Sequence, residues 1–268
     1  MKIVYYQDEL NDEFSEAKIT PRKIDEKYKY NHSIIWEFFS YVIQNIISMP
    51  IKTLYLKIKF HHKYIGKEKL KNIKTGCYIY ANHTQPFADT FIPSVAIYPK
   101  RNFLIVNPEN VSIKPWGWLI ELLGAIPVPG NTKSARNFLE RIKNRIDKNY
   151  SITIYPEAHI WPYYIGIRNF KDVSFKYPVE HNVPSFSVTN TYIKRKDKNK
   201  NKTKCKNKDK EKANMITYID GPFFPDQNLS KKEAQRKLRN EIYNKMLERS
   251  KNSNIEIIRY IKEEDKDK

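Results

Sequence analysis

Glycine is scarce in this chain, with seven in 268 residues, and cysteine scarcer still, with two. The glycines form no Walker loop, no dinucleotide fingerprint and no Gly-x-Ser-x-Gly elbow, which counts against nucleotide-driven enzymes and serine hydrolases. Cys77 falls in an apolar run and Cys205 in a lysine-rich one, so neither a disulfide framework nor clustered zinc ligands are indicated, and a reducing compartment is expected. His61 and His62 are adjacent and diverge on any regular element, so no metal site is expected there. The N-terminus, MKIVYYQDELNDEF, lacks the basic-then-apolar order of an export signal. A mean hydropathy of −0.71 excludes a polytopic membrane protein.

Acidic residues are also in deficit, 30 against 49 basic ones, for a net charge of +19. Much of that excess sits in one low-complexity run, Lys194 to Ala213, with eleven basic and three acidic residues. It lies between two strand-like segments and is read as a disordered basic insertion, attracted to acidic lipid headgroups. Nucleic acid is disfavoured as a partner, because no aromatics for base stacking interleave the lysines and no recognition module accompanies them.

The pattern that remains is α/β: a mixed, mostly parallel sheet flanked by helices. Gly76 to Ala81, Asn102 to Val106, Ser151 to Tyr155, Ser185 to Tyr192 and Met215 to Asp220 read as strands. Ser134 to Asp147 has helical periodicity, and Ser230 with Glu233 forms a capping box before a long helix to Ser250. The expected organisation is a polar N-terminal arm (1–32), one domain (33–262) that includes the basic insertion (194–213), and a charged tail (263–268). The longest apolar stretch, Ser33 to Ile51, approaches the length of a membrane span, but Glu37, Gln44, Asn45 and Met49-Pro50 argue against spanning. Followed by Lys52, Lys57, Lys59, His61, His62 and Lys63, it reads as an amphipathic membrane-contact region (33–63) lying in the interface of an anionic bilayer. Pro115 to Gly124 (PWGWLIELLG) is apolar enough for core or for an acyl groove.

Chemistry concentrates at two strand ends. Asn82-His83-Thr84-Gln85-Pro86-Phe87-Ala88-Asp89 follows the first strand and sets an imidazole and a carboxylate within reach of each other, the pairing a general base needs. Pro156-Glu157-Ala158-His159 follows the strand that begins at Ser151, and ligands of open α/β sheets gather at the carboxyl ends of strands.

These residues resemble the glycerolipid acyltransferase family, whose best-known members are the lysophosphatidate (1-acylglycerol-3-phosphate) acyltransferases. Asn82-His83 with Asp89 looks like the family's Asn-His-x4-Asp block, and Gly124-Ala125-Ile126-Pro127-Val128 resembles the second block. Tyr155-Pro156-Glu157 resembles the Phe-Pro-Glu that opens the third, Asn182-Val183-Pro184 is similar to the fourth, and Phe170-Lys171 falls where the family carries Phe-Lys. The resemblance spans roughly Ile73 to Gly221. It implies acyl transfer from acyl-CoA or acyl-carrier protein to a hydroxyl of a lysophospholipid or related glycerolipid, in phospholipid biosynthesis, with no cofactor beyond the thioester donor. It further implies His83 as base, Asp89 as its orienting partner, loop N–H groups as oxyanion donors, and Asn82 and Glu157 at the acceptor. The protein is then expected to be peripheral, on the cytoplasmic face of the membrane, with lipid acceptor, thioester donor, acyl-carrier protein and anionic bilayer as partners.

Two departures stand out. Five residues separate His83 from Asp89 where the family has four, and Ala88 occupies the usual position; a loop containing Pro86 absorbs the insertion. The arginines that hold the acceptor's phosphate in the family are missing from both expected places, leaving Lys133, Arg136, His159 and Arg168 as replacements. The competing reading is a non-catalytic basic peripheral protein that binds anionic membrane or nucleic acid, which explains the charge but not the order of the blocks.

Overall fold

A computed structural model describes residues 2–14, 19–30, 32–195 and 213–265. Seven strands form the main sheet in the order β2-β8-β7-β3-β6-β4-β5. They are β2 (Lys63–Ile65), β3 (Cys77–Ala81), β4 (Asn102–Val106), β5 (Ala125–Pro127), β6 (Ser151–Ile154), β7 (Ser185–Lys194) and β8 (Ala213–Phe223). Every neighbouring pair is parallel except β7 and β8, which run antiparallel. The mixed, mostly parallel sheet read from the sequence is therefore the observed one, and each strand in that reading is present. Most of the basic insertion lies outside the described residues.

The two faces of β3 show why the sheet is covered on both sides. Cys77, Ile79 and Ala81 project into one core with Leu56 and Phe60 of helix Ile34–Phe60 and with Ile92 and Ala96 of helix Ala88–Ile97. Tyr78 and Tyr80 project the other way, into a core shared with Phe138 and Ile142 of helix Thr132–Asp147 and Leu238 and Ile242 of helix Lys231–Ser250. All five residues of β3 are buried, as a strand between two helical layers requires. Both long helices of the second layer start on capping boxes, Asn131 with Ser134 and Ser230 with Glu233, which satisfy first-turn N–H groups.

Described parts of the N-terminal segment 1–32, expected as a polar arm, pack into the fold. Strand β1 (Lys2–Tyr6) pairs in parallel with β9 (Ile258–Lys262) in a separate two-stranded sheet, and Ile24 and Tyr30 are core residues of the second layer. Phe14 and Tyr6 pack on Trp161 beside the third block.

Helix Ile34–Phe60 is long and apolar enough to cross a membrane by length and composition. Its amphipathicity is inverted. Ser40, Gln44, Asn45, Lys52 and Leu56 face the domain, whereas Ile34, Phe38, Ile47, Ile51, Leu54 and Ile58 are each more than half exposed. Gln44 and Asn45, which argued against spanning, thus point inward. Gln44 donates to the carbonyls of Asn102 and Leu123 from a π-helical turn, Val42–Ile47, that widens the helix at this point. Gly124, at φ +102°, makes this approach feasible, since a Cβ there would fall 2.2 Å from Gln44 Nε2. Glu37 receives Arg101, Arg141 and Arg145; burial pushes its carboxyl up, but the arginines outweigh that and hold it down to about 2. Lys52, expected among the surface cations, is instead buried, and burial lowers its ammonium to about 8.

Candidate active site

His83 leaves the C-terminal end of β3 with its ring 4.3 Å from that of Tyr155, at 24°. Its Nδ1 is 2.9 Å from Asp89 Oδ2. Asp89 is fully buried at the start of helix Ala88–Ile97, and the same Oδ2 accepts the backbone N–H groups of Thr84 at 2.7 Å and Gln85 at 2.8 Å. An oxygen that already accepts two backbone N–H groups faces Nδ1 as an acceptor, so Nδ1 is the proton-bearing nitrogen. The ring's Nε2 is then the unprotonated nitrogen, and it has no protein partner among the described residues.

The extra residue between His83 and Asp89 is absorbed on the outer side of the loop. Thr84 and Gln85 are anchored inward, both on the Tyr192 hydroxyl, while Phe87 bulges into solvent, 66% exposed, and Ala88 takes the first helical position. A longer loop therefore still delivers the carboxylate to Nδ1.

Glu157 lies on the other side of His83, and its geometry corrects the expectation that it touches the acceptor. Its Oε2 accepts the His83 backbone N–H at 3.1 Å, its Oε1 accepts the Arg168 backbone N–H at 3.0 Å, and the Arg168 guanidinium is 3.4 Å from Oε2. Both side chains are 1% exposed. Burial pushes the Glu157 carboxyl up, while Arg168 and the two N–H donors hold it back. Glu157 is a strut that ties the first block to the third. Arg168 is committed to it, stacked over Trp161 and bonded to the His159 carbonyl, so Arg168 is not an acceptor cation either. Asn82 is likewise a pin: its side chain bonds both the carbonyl and the N–H of Asn190, joining the end of β3 to the middle of β7.

Three of the loop N–H groups are already engaged. Those of His83, Thr84 and Gln85 all end on carboxylates. In the third block Ala158 sits at φ +63°, in the left-handed region that favours glycine.

His83 opens on a cavity of about 690 Å3. One wall is apolar, formed by Leu104 and Val106 of β4, Ile154 of β6, and Ile113, Val128 and Val173. His159 is at the rim, its Nδ1 2.9 Å from Glu13 Oε2. Lys133 and Arg136 do not line it; both are exposed on helix Thr132–Asp147, Arg136 paired with Glu140 at 3.1 Å. Lys171 is the only lysine or arginine lining this cavity among the described residues. The sequence had placed it in the Phe170-Lys171 pair without giving it a role, and Tyr155, beneath the imidazole, was noticed only as part of a block.

The site is thus a parallel-sheet protein's strand-end histidine, fixed by a buried carboxylate, with its free nitrogen on a cavity that is apolar on one side. Residues 61–191, which contain His83, Asp89, Tyr155, Glu157 and Asn190, match the family model described as Acyltransferase, and the family resemblance of the blocks is borne out: this segment is an acyltransferase-family domain. Among solved structures the chain is similar to the 1-acyl-sn-glycerophosphate (LPA) acyltransferase PlsC of Thermotoga maritima, with a TM-score of 0.49 and 16% identity over 83% of this chain and 97% of that one. A comparison with curated proteins finds no match.

Proposed function

We propose that this protein moves a fatty acyl group from an acyl thioester, acyl-CoA or acyl-carrier protein, to a hydroxyl of a lysophospholipid or related glycerolipid. The observation that carries the reading is the free Nε2 of an Asp89-held His83 at the mouth of an apolar-walled cavity. Nε2 takes the acceptor's hydroxyl proton as that oxygen attacks the thioester carbonyl. The tetrahedral adduct collapses, the C–S bond breaks, and the departing thiolate recovers the proton from the imidazolium. The buried Asp89 stabilises that transient cation. The test is mass spectrometry of products after acyl-CoA and acyl-carrier protein are each offered against a panel of lysolipids. An acylated lysolipid is expected; no transfer to any acceptor would favour the non-catalytic membrane binder.

Lys171 takes over the role first given to Lys133, Arg136 and Arg168, because it alone among these four lines the cavity, where His159 is the other candidate. Lys171→Ala is expected to raise KM for a phosphate-bearing acceptor several-fold more than KM for the donor. Equal KM values in the variant and the wild type would indicate an acceptor without a terminal phosphate.

The bilayer supplies the acceptor in this reading, and the exposed stripe of helix Ile34–Phe60, with Trp116 and Trp118, is its contact surface. The helix packs along the domain from Glu37, bound to Arg101, to Phe60 in the core, so it lies in the membrane plane rather than crossing it. Full burial of an isoleucine contributes about 1.5–3 kcal/mol. Ile51→Glu combined with Ile58→Glu is therefore expected to lower partitioning onto phosphatidylglycerol-containing vesicles by more than about tenfold, with little change in thermal stability. Undiminished vesicle binding would place the contact elsewhere.

A further inference from the structure

A second run of hydrogen bonds leaves Asp89 on the side away from His83. Asn190 Nδ2 donates to Asp89 Oδ1 at 3.1 Å, Thr217 Oγ1 donates to Asn190 Oδ1 at 2.6 Å, and His62 Nε2 lies 2.7 Å from Thr217 Oγ1. The run crosses the sheet at right angles to its strands. Asn190 of β7 and Thr217 of β8 are direct register partners, and His62 immediately precedes β2, which pairs with β8 at this level. Asn190 and Thr217 are 2% and 0% exposed.

Each donor direction follows from the one before. Asp89 accepts three N–H groups at Oδ2, and Asn190 turns its amide NH2 toward the acceptor Oδ1. That leaves Asn190 Oδ1 facing Thr217, whose hydroxyl proton is therefore spent on it. The Thr217 oxygen then has only lone pairs to offer His62, so His62 carries its proton on Nε2. Burial lowers the His62 imidazole to about 4, which agrees with a neutral ring bearing one proton. All three bonds point the same way, and bonds aligned in a dry interior polarise one another.

We infer that Asn190, Thr217 and His62 are positioning residues for the base, fixing Asp89 from behind so that its other oxygen stays aimed at His83 Nδ1. This rests on His83 being the base, as proposed above. Without the Thr217 hydroxyl, Asn190 Oδ1 is left buried without its donor and the amide is held at the Asp89 end alone, so its hold on Asp89 Oδ1 loosens. The effect belongs on turnover rather than on substrate affinity, because none of the three residues lines the cavity.

The test compares Thr217→Val, which removes the hydroxyl but keeps the shape, with Thr217→Ser, which restores it. One net hydrogen bond is worth about 0.5–1.5 kcal/mol, or roughly two- to twelvefold in rate. Thr217→Val is expected to lower kcat by that factor with KM for donor and acceptor unchanged, and Thr217→Ser to return it to about the wild-type value. In 15N-histidine spectra, Thr217→Val should shift the His62 and His83 imidazole signals. Should Thr217→Val fail to fold, His62→Leu against His62→Gln, which keeps a donor near Nε2, reads the same run from its far end with the same expectation. Unchanged kcat and an unmoved His83 signal in the variant that lacks the donor would overturn the inference. His83→Ala separates the levels: if it is inactive while these variants are normal, only the positioning role fails, and if it is as active as wild type the underlying reading fails.

Discussion

His83→Ala and Asp89→Asn are each expected to lower the proposed acyl transfer by orders of magnitude while the protein stays folded. A general base contributes about 10²- to 10⁴-fold, and His83→Ala loses that contribution, leaving a small gap over Tyr155 at a partly exposed position. Asp89→Asn acts through orientation. The carboxylate accepts from His83, Thr84 and Gln85 on one oxygen and from Asn190 on the other, so all four neighbours are donors. An asparagine presents an NH2 to one side whichever way it turns. If the NH2 faces the loop, it opposes two backbone N–H groups and drives His83 to the tautomer protonated on Nε2, which cannot act as base. If it faces Asn190, two amide NH2 groups collide. In hydrolytic triads the matching change costs about 10⁴ in kcat, and a fall approaching that size is expected here, together with about 1–3 kcal/mol of stability from the mismatched buried donors. Steady-state turnover beside thermal denaturation measures both. An Asp89→Asn protein with wild-type turnover would show that another group orients the imidazole.

The second large effect is on folding. Arg168→Ala leaves Glu157 buried without its cation, and breaking a buried pair from one side costs about 3–5 kcal/mol. For a chain of this size the midpoint of thermal unfolding falls by on the order of 10 °C. The loss also depends on pH. Burial already raises the Glu157 carboxyl, and without Arg168 it rises further above its unfolded value. A carboxyl raised in the folded state binds a proton there that the unfolded chain releases, so stability declines as pH rises from the unfolded value through the folded one. The gap between Arg168→Ala and wild type should thus be narrow near pH 5 and wide at pH 7. A gap that is constant across that range, or widest in acid, would mean that Glu157 is not the group left exposed to the loss. Glu157→Gln, which keeps an acceptor for one N–H but turns a donor toward the other, is expected to be milder.

These two predictions separate roles that the sequence runs together. Asn82, His83, Glu157 and Arg168 all read as polar residues at strand ends, and by chemistry alone each suits substrate. Of these four only His83 lines the cavity; Glu157 and Arg168 face each other, and Asn82 bonds to Asn190. Glu157 holds the backbone of His83, and Arg168 holds Glu157, so their removal acts first on the loop's shape.

The sequence by itself determined five of the seven strands of the main sheet, the two long helices of the second layer, one of them with its cap, and the His83–Asp89 pair, because these depend on neighbours in the chain: alternation, capping chemistry and a short loop are local properties. Even the five-residue spacing was legible, since Pro86 marked a loop able to take one more residue. The tertiary structure decided everything that depends on which strands lie side by side. Asn190 meets Asp89 and Thr217 only because β7 lies between β3 and β8, and residues 101 and 27 positions apart give no sign of that contact along the chain. Helix Ile34–Phe60 makes the same point in reverse. Its polar and apolar stripes are plain in the sequence, but periodicity reports that two faces differ, not which one the protein keeps; the carbonyls of Asn102 and Leu123 and the guanidinium of Arg101 claimed the polar face, leaving the apolar one outside.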